Sequence, residues 1–309
     1  MKKVLIPFLL LCVFMISACG NNQPVEKKEE AAAPTASKSG KITYQSENGP
    51  VEVPADPKRV IVLSTFAGNV MALNVNLVGV DSWSKMNPRF DSTLKDVAEV
   101  SDENLEKIIE LQPDLIVGLS TIKNVDKLKQ IAPTVTYTYG KVDYLTQHLE
   151  IGKLLNKEKE AKAWIDDFKQ RAQQAGTDIK AKIGENTTVS VIENFDKQLY
   201  VFGDNWGRGT EIIYQEMKLK MPDKVKEMAL KAGYYALSLE VLPQFAGDYM
   251  IFSKSKDTDN SFQQTDTYKN IAAVKNNKVF EVNAKEFYFN DPITLDFQLE
   301  FFKQSFLGN

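Results

Sequence analysis

The chain is poor in the residues that ligate transition metals. Among its 309 residues there is one histidine, His148, and there are two cysteines, Cys12 and Cys19, both in an N-terminal apolar segment. A zinc or copper site of imidazole and thiolate, a two-histidine dyad and a disulfide framework in the mature chain are all excluded. A long basic block is also missing. With 38 Lys and Arg against 41 Asp and Glu, and a formal charge of −3, there is no electrostatic case for a nucleic-acid partner. No G-x-S-x-G elbow, serine-lysine motif or Walker loop occurs, and Asp166 and Asp167 diverge around a helix instead of forming an acid/base pair. Nothing singles out an enzyme. What is present is an ordinary soluble composition, 43% hydrophobic and 26% charged, with length for one large or two medium domains.

Residues 1–18 read as a signal peptide: Lys2 and Lys3, an apolar run from Val4 to Ile16, then Ser17 and Ala18 before Cys19. The run is short for a permanent span, and Ile16-Ser17-Ala18-Cys19 resembles the lipobox of bacterial lipoproteins, in which the cysteine carries the lipid. From Asn21 to about Gly40 the sequence is mostly Asn, Gln, Pro, Glu, Lys, Ala and Ser with almost no large apolar side chain, so residues 19–40 read as a flexible lipidated tether. The folded body starts near Lys41.

β-Branched runs at Arg59–Leu63, Leu77–Val80, Asp114–Gly118 and Thr134–Thr138 alternate with helix-like segments at Phe66–Leu73 and Asn104–Leu111. A second set of runs lies at Thr188–Glu193, Gln198–Phe202, Asp248–Phe252 and Lys278–Val282. The alternation predicts two α/β lobes, residues 41–142 and 184–309, each with a mostly parallel sheet flanked by helices. From Asp143 to Lys182 no proline intervenes and apolar residues keep a period near 3.6, so residues 143–183 read as one long inter-lobe helix of roughly 50 Å. His148 lies in it, as an interfacial or exposed side chain. A pseudo-repeat supports two related lobes: Leu105-Glu106 precedes Asp114, and Leu239-Glu240 precedes Asp248, with eight residues from acid to acid in both.

The segment Tyr200-Val201-Phe202-Gly203-Asp204-Asn205-Trp206-Gly207-Arg208-Gly209 follows a strand. Its glycines let the backbone turn sharply and present Trp206 and Arg208, as an aromatic and cationic surface at the carboxyl end of a strand, where open α/β sheets place ligands. The competing reading makes Trp206 a buried anchor and pairs Arg208 with a carboxylate. In Phe287-Tyr288-Phe289-Asn290-Asp291-Pro292 three aromatics in a row cannot all face one side, so at least one faces solvent or ligand. Tyr137 and Tyr139 share a face if extended, and core and ligand roles stay open for both. Phe66 reads as core.

Together these features resemble the substrate-binding lipoproteins of iron-siderophore ABC importers in Gram-positive bacteria. The loop around Trp206, with Phe245–Tyr249 and Tyr288–Pro292, is most similar to members that bind ferric hydroxamate siderophores. The resemblance implies a monomer on the extracellular face of the cytoplasmic membrane, with no cofactor and no iron ligand from the protein. Its cleft lies between lobes joined by one long rigid helix and closes only slightly. Tyr200, Trp206 and Arg208 would contact the siderophore from the second lobe, with Tyr288 as an aromatic wall and Tyr139 opposite. Glu106 and Glu240 match the glutamates that dock on the permease. Leu119 stands where some relatives have tyrosine, and position 288 is tyrosine where some have tryptophan. Alternatives are a catecholate, haem or corrinoid receptor on the same fold, a surface siderophore esterase, or an adhesin. On the hydroxamate reading, Arg208→Ala and Trp206→Ala weaken binding and leave thermal unfolding nearly unchanged.

Overall fold

A computed structural model describes residues 40–308. The expected signal peptide, the lipidated Cys19 and the tether up to residue 39 lie outside the described residues. Twelve strands are β1 (Lys41–Ser46), β2 (Gly49–Pro54), β3 (Val60–Val62), β4 (Leu77–Val80), β5 (Ala98–Glu99), β6 (Leu115–Leu119), β7 (Thr134–Tyr137), β8 (Val189–Phe195), β9 (Gln198–Phe202), β10 (Tyr234–Leu237), β11 (Tyr249–Lys254) and β12 (Val279–Asn283). They form an antiparallel hairpin, β1-β2, and two five-stranded sheets, β5-β4-β3-β6-β7 and β10-β9-β8-β11-β12. The first of these is parallel throughout; in the second, β8, β11 and β12 are parallel while β9 runs antiparallel to both its neighbours.

Alternate residues of each central strand enter different cores, as a pleat with period two requires. Val60 and Val62 join one apolar cluster and Ile61 another; Val189 and Val191 join one and Ile192 another. Both sheets are thus covered on both faces, the arrangement that makes parallel strands read as continuous apolar runs.

The pseudo-repeat has a mechanical basis. Asp114, just before β6, accepts from the amides of Lys58 (2.6 Å) and Arg59 (3.0 Å), which lead into β3. Asp248, just before β11, accepts from the amide and hydroxyl of Thr188, both at 2.8 Å, which leads into β8. In each lobe one aspartate ties a strand to its central neighbour.

The helical run between the sheets is two helices rather than one, Tyr144–Leu154 and Glu158–Ile183. Asn156 takes a left-handed φ of 56°, the Lys157 amide donates to the Gly152 carbonyl (2.7 Å) and that of Asn156 to Lys153 (3.2 Å). This is a Schellman ending with asparagine at the left-handed position. Gly152 sits where the helices meet: a Cβ there would lie 2.5 Å from that of Ala161. The long helix that joins the lobes is therefore the 26-residue second one, about 40 Å long.

A second connection was not legible. After β12 the chain returns to the first lobe, where Phe289 enters the core and Tyr288 and Ile293 pack against it. Asp291 then caps the C-terminal helix Pro292–Leu307, accepting from the amides of Ile293 and Thr294. Its burial against Gly68 pushes the carboxyl up to about 6. This helix gives Leu295, Leu299, Phe302 and Phe306 to the second lobe's core, so the last segment belongs to both lobes.

Among the described residues no helix is long and apolar enough to cross a membrane.

Candidate ligand-binding site

Between the lobes lies a cavity of about 710 Å³. The first lobe lines it with Leu63, Ser64, Thr65, Asp81, Trp83, Leu119 and Tyr139, and the second with Phe195, Tyr200, Phe202, Trp206, Arg208 and Tyr234; Tyr288, Phe289 and Asn290 close it from the return segment. All five residues expected to contact ligand, Tyr139, Tyr200, Trp206, Arg208 and Tyr288, are brought together here, and Leu119 lines the same space.

The loop after β9 is held from several sides. Gly207 (φ 69°) passes so close to the return segment that a Cβ would lie 2.4 Å from the Tyr288 carbonyl oxygen. The Arg208 amide donates to the Phe287 carbonyl (2.6 Å), and the Gly207 amide to the buried Glu211 carboxyl (2.9 Å), which also accepts from Asn290 (3.0 Å). Burial pushes the Glu211 carboxyl up against the pull of these donors. The glycines thus serve close backbone approach as much as a sharp turn. The strand end they follow is also not that of a parallel strand, because β9 is antiparallel; the loop is tied back to β8 by Arg208.

Arg208 combines the two readings the sequence left open. Its Nε and Nη2 donate to the two carboxylate oxygens of Glu193 (2.8 and 3.1 Å), and Nη1 donates to the Trp206 carbonyl (3.2 Å). Ser253 donates to Glu193 as well (2.9 Å), and the Glu193 side chain is fully buried. Arg208 pairs with a carboxylate and lines the cleft. Its guanidinium lies 4.8 Å from the Phe202 ring centre and 4.7 Å from that of Tyr288, a planar cation between two aromatic faces. Burial and the Glu193 charge push the Tyr288 hydroxyl up to about 12, so it is a neutral donor at physiological pH.

Trp206 meets Tyr139 edge to face at 5.3 Å across the cleft and Tyr234 at 5.2 Å within its lobe. Tyr200 contacts Tyr234 at 5.9 Å. Behind the Tyr139–Trp206 pair a second cavity of about 820 Å³ shares Thr65, Tyr139, Trp206 and Asn290 with the first. At the other rim Trp83 stacks on Phe195 at 6.4 Å and meets Tyr288 at 5.4 Å.

The tyrosines of β7 part company: the strand ends at Tyr137, which is buried and donates to Tyr44 (3.2 Å), while Tyr139 lies beyond it in a turn, 43% exposed. Phe66 is core, and of Phe287-Tyr288-Phe289 only Tyr288 is not buried. His148 is buried rather than exposed, 3.3 Å from Asn69 and edge-on to Trp164, and burial lowers it to about 4. Glu106 and Glu240 are exposed and lie outside the cavity, each on the connection leading into β6 or β11. The sequence reading missed Glu193, Trp83, Phe195 and Tyr234. Glu193 carried a signal, a charged residue ending an apolar run; Trp83 follows the helix cap Asp81 and carried none.

A family model described as periplasmic binding protein matches residues 62–286. The iron(3+)-hydroxamate-binding proteins FhuD and YxeB of Bacillus subtilis are each 37% identical to this chain, over 96% and 97% of it and 95% of each relative. Among solved structures, the FhuD protein from S. pseudintermedius superposes with a TM-score of 0.78 at 38% identity, over 87% of this chain and 99% of that one. FhuD2 from Staphylococcus aureus with bound ferrioxamine B gives 0.78 at 35% identity, over 82% and 99%.

Proposed function

The chain belongs to the periplasmic binding protein family, and from that premise we propose that it captures ferric hydroxamate siderophores outside the cell and hands them to an ABC permease for iron uptake. The observation that carries this reading is the inter-lobe cavity walled by Tyr139, Tyr200, Trp206 and Tyr288 around the Arg208 fork. A ferric tris-hydroxamate already surrounds its iron with oxygens, so the cleft need supply only donors to those oxygens and apolar area for the linkers. Arg208 has five N–H groups, of which three are engaged, leaving two for an acceptor in the cleft. The aromatic walls supply contact area at small conformational cost. No catalytic step is assigned to the chain.

Glu106 and Glu240 are the residues proposed to dock on the permease. They are exposed and stand at matching places before β6 and β11, which share the position beside the central strand of each sheet. A lipid on Cys19 would hold the protein, as a monomer, at the extracellular face of the membrane.

Titration with ferrioxamine B, ferrichrome, a ferric catecholate and haem, followed by tryptophan fluorescence, tests the ligand. Trp83 and Trp206 line the cavity, so saturable quenching by the hydroxamates alone is expected. Quenching by haem or the catecholate alone overturns the ligand class. In cells, Glu106→Ala with Glu240→Ala is expected to abolish uptake and leave affinity intact; unchanged uptake removes the docking role.

A further inference from the structure

The cleft contains an arginine whose charge is already spoken for. Arg208 and Asp81 are the charged side chains lining the cavity, and no lysine joins them among the described residues. Glu193, on β8 behind the arginine, accepts from Nε and Nη2 at separate oxygens and from Ser253, with no exposure to solvent. A bidentate pair at these distances fixes the guanidinium plane, cancels its net charge and weakens the attraction that a bare guanidinium would exert on an anion in the cleft. The two N–H groups left over can still donate hydrogen bonds. The site therefore offers strong donors without net positive charge, and Asp81 on the facing lobe adds none.

We propose that Glu193 sets the charge selectivity of the cleft: by neutralising Arg208 from behind, it matches the site to electrically neutral ferric complexes and disfavours anionic ones. The inference rests on the hydroxamate reading above and sharpens it. Three hydroxamates cancel the charge of ferric iron, whereas three catecholates leave a trianion that an unpaired arginine would attract. Glu193 touches no ligand; it is a positioning residue acting through Arg208. Its length and its two oxygens both matter, because a shorter or singly bonded partner would free the fork to swing.

The test compares the full chain in detergent with Glu193→Gln, which keeps shape and removes the charge, and with Glu193→Gln combined with Arg208→Gln. The probes are ferrichrome, a neutral tris-hydroxamate, and ferric enterobactin, a trianionic tris-catecholate. The expected result is that Glu193→Gln shifts the ratio of the two dissociation constants toward the catecholate by about tenfold or more, and that the double variant returns the ratio to near its original value. A purely structural role would weaken both ligands alike, and an unchanged ratio with ferrichrome still bound overturns the inference while leaving the hydroxamate reading intact. A wild-type chain that prefers the catecholate overturns both. If Glu193→Gln does not fold, the salt dependence of the wild-type chain toward the trianionic catecholate decides: affinity that does not fall between about 0.05 and 0.5 M salt supports a cleft without net positive charge, and affinity falling steeply with salt overturns it.

Discussion

The two sheets are built in the same order around a central strand, β3 in one lobe and β8 in the other, with β6 and β7 matching β11 and β12. Asp114 and Asp248 perform the same tie in each. The lobes differ at one position: β4 follows β3 in parallel after a helix, while β9 follows β8 as a hairpin through Asp196 and Lys197, both at positive φ. A two-residue turn with both φ positive suits the natural twist of paired strands. It also brings Glu193, Phe195, Tyr200 and Phe202 to neighbouring places and leads directly into the loop of Trp206 and Arg208. The first lobe, keeping its crossover, lines the cleft near its centre with Leu63, Ser64, Thr65 and Leu119 and no ion pair. The shared frame builds a platform in each lobe, and the departure from it supplies the aromatic and cationic chemistry in one.

The largest expected effect of breaking this asymmetry is on stability. Arg208→Ala strands the fully buried Glu193 carboxylate with Ser253 as its remaining donor. Removing one partner of such a pair costs about 3–5 kcal/mol. Urea unfolding should show that loss, replacing the sequence-based expectation of nearly unchanged unfolding. Leu119→Ala, which trims a half-exposed residue of the first-lobe wall, should cost no more than about 2 kcal/mol. Equal losses would mean that the two halves of the cleft are equally built into the cores.

That correction shows where the sequence was legible. Runs of β-branched residues located the parallel strands because both faces of each are buried, and Leu77–Val80 matches the observed strand end to end; so does Gln198–Phe202, although that strand is antiparallel. Glycine spacing brought Trp206 and Arg208 into view, and the family resemblance added Tyr139, Tyr200 and Tyr288; all five line the cleft. The hairpin was legible but not read: the four residues between the expected strands at Glu193 and Gln198 are too few for a parallel crossover, which needs a dozen or more. The break at Asn156 was hidden because asparagine in a lysine- and glutamate-rich run keeps helical composition while adopting a left-handed turn. Trp83, Phe195 and the Glu193–Arg208 pair depend on contacts across long stretches of chain, which no local pattern encodes.

A smaller effect separates the two walls in binding. Trp206 is held by Tyr234 and by close approach to Gly233, where a Cβ would lie 2.9 Å from its ring, whereas Tyr139 is an exposed turn residue. A fixed aromatic gives up less conformational freedom on binding, and such residues dominate interface energies. Trp206→Ala is expected to weaken ferrichrome binding by about 30-fold or more, and Tyr139→Ala by about tenfold or less. Isothermal titration of both variants checks the order. Equal losses would make the pair a single cross-cleft unit rather than a rigid wall met by an adaptable one.

The smallest effect probes the part the lobes share. The Thr188 amide and hydroxyl hold the Asp248 carboxyl below its ordinary range, the amide bond first. Because the native value lies below the unfolded one, this contribution is full above about pH 4 and fades as pH falls through the native value. Asp248→Asn should therefore lower stability by less than about 1 kcal/mol at pH 7, the carboxyl being largely exposed, and the gap to wild type should close in acid. Asp114→Asn keeps one of the two oxygens that accept from the Lys58 and Arg59 amides and replaces the other by an NH2 donor at the matching place, and should cost a similar amount by urea unfolding at pH 7. If one substitution costs several times the other, the two aspartates are not doing the same work, and the equivalence of the lobes is confined to strand order.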